Sequence, residues 1–394
     1  MREKVYFCKI NWDNVAQEKK NMAKEFEGEE TLKPQYGDLG ADVYPDAVLN
    51  ISRDTASVFQ LKRKWEKKPS MLDLSPDFQR ELVWPSRKKC ELIESILMGI
   101  PLPAFYVREK DDGVYIVVDG KQRLTTLFDY IDGKFKLEGL KILKGINTKY
   151  FKDLTTLQQN KLEDYSLLLN IIKSPTSDRV IFDLFDRVNR GGVTLNNQEM
   201  RNALYQGGST RLLNVLAKSD AFIKATENSA KPKHMKDKYL ALRFIAFYLW
   251  NEHRSKDVET GELLEYKSNL EDFLGMTMRY LNSLDENGQE MDRIRSVFVR
   301  VMETAAKVIV PLGGFRLPPK PGGNKRPINM AFFESFCYLI SYMLNCSEEY
   351  IAEAYKMLLS DSDYVYTLTH SVDSNVQIED RYRIIRETIE KVIA

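Results

Sequence analysis

Five consecutive residues, Asp119-Gly120-Lys121-Gln122-Arg123, carry the groups best suited to chemistry in this chain. They follow an apolar run, Tyr115–Val118, and precede a helical pattern, so they lie where a strand passes into a helix. The N–H groups at a helix start and the positive end of the helix dipole favour an anion. Lys121 and Arg123 add positive charge, Gly120 lets a ligand approach the backbone, and Asp119 or Gln122 orients a ribose, a water or a metal. The alternative is a turn whose polar residues only cap and solvate it.

A second cluster lies in the segment Asp77–Trp84, which contains Gln79, Arg80 and Trp84. The Arg80 guanidinium can form a two-pronged contact with a phosphate, and Trp84 can stack on a base or form the wall of a pocket. The alternative is an arginine packed on a tryptophan at a domain edge. The segment alone does not decide between these two interpretations.

A third cluster surrounds a double glycine in Phe185–Asn202 and includes Arg187 and Asn189. Hydrogen-bonding side chains between two predicted helices indicate either the edge of a binding site or a polar network that holds the loop. The two interpretations are compatible, because a pocket wall needs supporting contacts.

Composition narrows the class of protein. The formal net charge of +1 over 394 residues provides no global field for nucleic acid or an anionic membrane, so such binding would need a local patch. The four cysteines form no C-x-x-C pair, which favours a reducing compartment without disulfides or zinc ribbons. The three histidines are far apart and share no metal-binding pattern, so we expect no metal site of that type. The N-terminus lacks the apolar core of a signal peptide, and no apolar run is long enough to span a bilayer. We therefore expect a cytoplasmic protein without membrane contact.

The pattern along the chain predicts three regions: an N-terminal extension (1–48), a mixed α/β domain (49–205) and an α-helical domain (206–394). A D-G pair between apolar β-formers predicts a hairpin over Ala104–Asp119. Helical spacing predicts helices over 57–68, 86–99 (capped by Ser86), 124–131, 179–188 and 195–205, and a helical region over 154–172. From residue 211 onward the pattern is almost entirely helical apart from the Pro/Gly-rich segment 311–327. The expected fold class is α+β, with a small mixed core and a larger helical region.

The order of four motifs, DFQRELVW, LIESILMGIPLP, VVDGKQRLTTL and FDRVNRGGVTLNNQEMRNALYQG, resembles the N-terminal-domain family of GmrSD-type modification-dependent restriction systems. That family belongs to the ParB/sulfiredoxin-like superfamily. The resemblance extends from about Thr55 to Tyr342. It implies a ParB-like nucleotide-binding core followed by a helical region, and a D-G-Q-Q-R loop that binds and hydrolyses nucleoside triphosphates. In our interpretation, Gln122 or Asp119 positions a water or an accompanying Mg²⁺.

The resemblance also assigns roles to individual residues. The D-G-Q-Q-R loop corresponds to Asp119–Arg123, with Asp119, Gln122 and Arg123 catalytic and Gly120 and Lys121 in nucleotide binding. The second family element gives nucleotide-binding roles to Gln79, Arg80 and Trp84. The third element, which also includes Gly191 and Gly192, gives such roles to Arg187 and Asn189. Lys121 replaces the usual first glutamine, which keeps a polar contact and adds charge near the phosphates, so we expect binding to be kept and nucleotide preference or turnover to change. Many relatives carry a C-terminal histidine–metal nuclease domain, whose H-x-x-P signature is missing here.

The resulting hypothesis is a nucleotide-binding protein, with nucleoside triphosphatase activity, that acts as the sensor or regulator of a prokaryotic anti-phage or restriction-type defence system. Its expected partners are the nucleotide, modified or phage DNA, a separate nuclease or effector protein, and a second copy of itself. Two alternatives stay open. One is a DNA-binding or assembly module without hydrolysis; the other, ranked lower, is a nuclease that uses the DGKQR loop directly.

Overall fold

The computed structural model describes residues 26–27, 50–74, 84–110, 112–174, 176, 184, 196–232, 235–319 and 322–394. These residues form two compact units. The sheet unit lies between residues 38 and 206, and the helical unit comprises strand β1 (Phe26–Glu27) and residues 207–394. Apart from β1, the predicted N-terminal extension lies outside the described residues.

A five-stranded mixed sheet forms the centre of the sheet unit. Its strands are β2 (Ile51–Ser57), β3 (Leu72–Asp73), β4 (Phe105–Glu109), β5 (Tyr115–Asp119) and β6 (Ser166–Ile172). They lie in the order β2-β6-β4-β5-β3. The pairs β6–β4 and β5–β3 are parallel, whereas β2–β6 and β4–β5 are antiparallel. The predicted α+β fold class is confirmed.

The predicted hairpin is confirmed, since β4 and β5 pair around a turn in which Gly113 has a φ of 77°. Its register shifts between Tyr106, which pairs with Asp119, and Val107, which pairs with Val117. Such a β-bulge changes the direction of the side chains beside it. The irregularity therefore lies directly at the end of β5 that carries Asp119.

Five helices flank or follow the strands of the sheet unit: α1 (Val58–Glu66), α2 (Ser86–Met98), α3 (Lys121–Ile131), α4 (Thr156–Glu163) and α5 (Asn197–Leu204). Apolar residues on one face of the sheet, among them Phe105, Val107 and Val117, form a buried cluster with Ile93 of α2 and Leu124 of α3. The helices thus cover that face of the sheet.

Two predictions about these elements were wrong. The stretch 154–172 is not helical throughout, because α4 is followed by β6, an inner strand. Ser86 is the first residue of α2 rather than its cap; Pro85 occupies the N-cap position, and no side chain caps the helix there. The predicted helix over 179–188 lies outside the described residues apart from Leu184.

The helical unit contains nine helices within its described part, in agreement with the predicted helical region. They are α6 (Gly208–Ala217), α7 (Asp220–Ala225), α8 (Lys236–Asn251), α9 (Leu270–Ser283), α10 (Gln289–Thr304), α11 (Met330–Tyr342), α12 (Glu348–Ser360), α13 (Ser362–Thr367) and α14 (Asn375–Ile393). Strand β7 (Ile328–Asn329) pairs in parallel with β1. No helix in the described part of the chain is long and apolar enough to cross a membrane.

Candidate functional site

The candidate site is the turn that joins β5 to α3. Gly120 occupies the N-cap position with a φ of 97°, a left-handed conformation that glycine adopts without steric cost. Helix α3 begins at Lys121, so Lys121, Gln122 and Arg123 all lie in its first turn. The N–H groups of a first turn have no acceptor within the helix, and they lie at the positive end of its dipole. This is the strand–turn–helix arrangement predicted for anion binding.

The packing around Gly120 gives a reason for glycine that the sequence did not indicate. A Cβ atom at this position would lie 2.7 Å from Cε1 of Phe105 and closer still to Cδ1. The space where a side chain would project is therefore filled by the Phe105 ring, not left open for a ligand. Both the positive φ and this contact restrict the position to glycine.

Arg123 holds the turn together. Its Nη2 donates to Oδ2 of Asp119 at 2.7 Å and to the carbonyl oxygen of Ala104 at 3.2 Å. Its Nη1 donates to the carbonyl oxygen of Pro103, and the guanidinium carbon lies 4.1 Å from the centroid of the Phe105 ring. One side chain thus links the end of β5 to the segment that enters β4.

The environment of this pair is only partly open to solvent. The Arg123 side chain is 11% exposed and that of Asp119 is 31% exposed. Burial lowers the pKa of the Arg123 guanidinium below its ordinary value, and the charge and hydrogen bond of Asp119 oppose this shift. The guanidinium directs these three hydrogen bonds to the protein itself. The predicted catalytic role of Arg123 thus competes with a structural role.

The turn also carries the polar side chains of Lys121, Gln122 and Asp119. Lys121 and Gln122 are partly buried at the first two positions of the helix. Because Asp119 is about one-third exposed, solvent can reach its carboxylate. A single carboxylate together with substrate phosphates is a common set of ligands for Mg²⁺. The residues of the turn are therefore compatible with a magnesium–phosphate group.

Trp84 packs partly buried against the apolar cluster of the sheet unit. The ammonium group of Lys88, in the first turn of α2, lies 5.4 Å from the centroid of the Trp84 ring. A cation, Lys88, thus packs on Trp84, whereas the predicted alternative of Arg80 packed on Trp84 involves a residue outside the described residues. Four other predicted nucleotide-binding residues lie outside the described residues: Gln79, Arg80, Arg187 and Asn189.

Part of the third cluster is described, and it forms a polar network. Asn196 caps α5 by accepting from the Glu199 N–H at 2.8 Å, while the Glu199 carboxylate accepts from the Asn196 N–H. The buried Arg201 guanidinium donates to Gln198 at 2.9 Å, and Gln198 donates to Asn202 at 3.3 Å. These contacts lie within residues 196–202, whereas the double-glycine loop that the predicted network would hold lies outside the described residues.

Phe105 and the carbonyl groups of Pro103 and Ala104 were missed by sequence reasoning. The predicted hairpin would have placed them beside the end of β5, but their residue types carry no chemical signal. Across the described part of the chain, no three His, Cys, Asp or Glu side chains are grouped so that they could hold a metal ion.

Comparison with known families identifies part of the chain. Residues 60–206 match the family described as GmrSD restriction endonuclease, N-terminal domain. The predicted resemblance is confirmed over these residues. The match spans less than half of the chain and includes the whole turn from β5 to α3. It indicates a component of a restriction-type defence system. No curated protein and no solved structure gave a match to the chain.

Proposed function

We propose that the GmrSD N-terminal domain of this chain binds a nucleoside triphosphate at the start of α3 and acts as the sensor or regulator of a restriction-type defence system. The observation that supports this proposal is the first turn of α3. It combines a glycine N-cap, N–H groups without intrahelical acceptors, and the side chains of Lys121 and Gln122.

In this proposal, the residues of the turn divide into two groups. Lys121 and the N–H groups of the first turn contact phosphate oxygens, and Gln122 or Asp119 orients the attacking water. Arg123 keeps the turn in shape through Asp119 and the carbonyl groups of Pro103 and Ala104. Phosphoryl transfer depends mainly on positioning the reactants and on electrostatic stabilisation of the transition state. The groups of the turn are of the types that these two tasks need. Mg²⁺, when bound with the triphosphate, would neutralise charge on the phosphates, and Asp119 would be its protein ligand.

Binding is tested by calorimetric titration with ATP, GTP, CTP and UTP in the presence of Mg²⁺. A charge-assisted hydrogen bond contributes about 1.5–3 kcal/mol, so Lys121→Ala should weaken binding about tenfold or more. Lys161→Ala, an exposed lysine on α4, is the matched control and should leave the affinity unchanged. If no triphosphate binds, or if Lys121→Ala binds as tightly as the wild type, the proposal is wrong.

Hydrolysis is tested separately by phosphate release. Gln122→Ala should reduce kcat while changing triphosphate affinity less than Lys121→Ala does. The DNA-binding alternative predicts a different result: affinity for duplex DNA that falls steeply with salt, without nucleotide turnover. A pocketed mononucleotide should respond less to ionic strength.

A further inference from the structure

The sheet unit contains a cavity of about 390 Å³ at the end of the sheet opposite to the β5–α3 turn. This volume lies within the range of small-molecule sites. Arg108 pairs with Ile116 on β5 and with Ile172 on β6, so these three cavity-lining residues form one row across the sheet. From Ile116 to Asp119, β5 extends by roughly 10 Å. The cavity is therefore separate from the turn.

The cavity lies on the face of the sheet that α1, α2 and α3 leave uncovered. Val107 and Val117 point into the apolar cluster formed with those helices. Successive side chains of a strand point to opposite faces, so Arg108 and Ile116 point to the other face. Ile116, Ile172 and Leu204 of α5 are buried and give the cavity an apolar floor.

Strand direction supports a binding role for this position. The neighbouring strands β4 and β6 are parallel, and both have their carboxyl ends at the cavity. Ligands of open sheets commonly bind in the crevice outside the carboxyl ends of parallel strands. The two segments that follow these strands line the cavity with Lys110 and Lys173.

The segment after β6 is held in place by Asn50, which directly precedes β2. The Asn50 carbonyl accepts from the Lys173 N–H at 2.9 Å, and the Asn50 side-chain amide donates to the Ser174 carbonyl at 3.0 Å. The Asn50 N–H donates to the Thr176 hydroxyl at 3.2 Å. The rim of the cavity is thus fixed from a neighbouring strand.

The charges at the rim favour an anion. Three cations, Arg108, Lys110 and Lys173, line the cavity together with two carboxylates, Glu109 and Asp112. Both carboxylates already interact within the protein. Glu109 lies 3.6 Å from the Lys173 ammonium group, and Asp112 accepts from the Val114 N–H at 3.1 Å. Lys173 is the partner of Glu109, so the excess of positive charge is only that of three cations over two carboxylates, a formal net charge of +1 around an apolar floor.

The geometry points to a second binding site, in this cavity, for a small molecule that joins a phosphate group to an apolar or aromatic group. The phosphate contacts the cationic rim, and the apolar part lies on Ile116, Ile172 and Leu204. This site is independent of the nucleotide site proposed at the β5–α3 turn.

Methyl NMR of the full chain, with labelled isoleucine and leucine, tests this inference. The probes are phenyl phosphate, inorganic phosphate and phenol. Phenyl phosphate should shift the methyl signals of Ile116 and Ile172 and should bind at least about tenfold more tightly than either of its two halves. The double variant Lys110→Ala/Lys173→Ala should weaken binding at least about tenfold, because it removes two cations from the rim.

Two further variants separate this site from the rest of the unit. Lys161→Ala and Lys121→Ala should both bind phenyl phosphate as the wild type does. The inference is overturned if millimolar phenyl phosphate leaves the Ile116 and Ile172 signals unchanged, if inorganic phosphate binds equally well, or if the double variant keeps its affinity. Loss of binding in Lys121→Ala alone would place the probe at the turn and overturn only this inference. The proposed nucleotide site would remain.

Discussion

Replacing Arg123 by alanine should destabilise the sheet unit and not merely weaken ligand binding. The change removes the ion pair with Asp119 and the hydrogen bonds to the carbonyl groups of Pro103 and Ala104. It also removes the contact with the Phe105 ring. Asp119 would then lose its charge partner at the end of β5.

The size of the effect follows from these contacts. Hydrogen bonds to charged groups contribute about 1.5–3 kcal/mol each, and breaking a fully buried ion pair costs about 3–5 kcal/mol. Because Asp119 is 31% exposed, solvent screens the pair, and we expect a loss of about 3 kcal/mol. For a unit of this size, that loss lowers Tm by about 6–12 °C.

Differential scanning calorimetry of wild type and Arg123→Ala measures this loss. Arg63→Ala, an exposed arginine on α1, is the matched control and should change Tm by less than about 2 °C. Lys121→Ala should lower Tm less than Arg123→Ala does, while it weakens nucleotide binding. An Arg123→Ala protein with the Tm of the wild type would refute the structural role assigned to Arg123.

Three other substitutions test the packing described above. Gly120→Ala should destabilise the protein by more than about 2 kcal/mol because its Cβ would overlap the Phe105 ring. Gly99→Ala, at a φ of 78° but in open space, should cost about 1 kcal/mol, and thermal unfolding compares the two variants. Arg381→Ala should lower the free energy of unfolding by about 3–5 kcal/mol because Arg381 is fully buried against Glu334. Arg383→Ala, which removes an exposed arginine on the same helix, should lower it by less than about 1 kcal/mol. Urea unfolding measures both. Burial raises the pKa of the Glu94 carboxyl, but hydrogen bonds from the N–H groups of Leu143 and Ile142 outweigh it and hold that pKa below its ordinary value. The stability that Glu94 contributes should therefore be present above about pH 5 and be lost as pH falls through the folded-state pKa. Glu94→Gln should flatten this loss of stability in acid, and Glu91→Gln should not. Urea unfolding midpoints measured across pH test this.

The sequence was sufficient to predict the turn and the helix that follows it. The apolar run before Asp119 and the D-G pair at Asp112-Gly113 both gave local signals. The hairpin formed as those signals indicate, and α3 ends at the predicted residue but begins three residues before its predicted start. Local patterns of this kind depend on few residues and on short-range geometry. They also placed Lys121, Gln122 and Arg123 together at one helix start.

The sequence did not predict how Arg123 would use its charge. Its acceptors at Pro103 and Ala104 are backbone carbonyl groups about twenty residues away, and only the folded hairpin brings them close. For the same reason the contact of the Phe105 ring with Gly120 was not predicted. Contacts with backbone atoms and apolar rings have no chemical signature in a sequence.

The inner strand β6 was missed for another reason. Its sequence, SLLLNII, is a short apolar run, and periodicity alone does not distinguish such a run from a buried helix. This error also hid the cavity beside Lys173, because the cavity exists only where β6 lies parallel to β4. Strand order, which is set by long-range packing, determines that site.

Hydrogen–deuterium exchange with and without a Mg²⁺-bound triphosphate tests the central claim most directly. If the phosphates lie at the first turn of α3, peptides covering Asp119–Leu127 should exchange more slowly when the nucleotide is present. Protection confined to peptides covering Lys110 and Lys173, with none at the turn, would contradict the claim and place the nucleotide at the opposite end of the sheet.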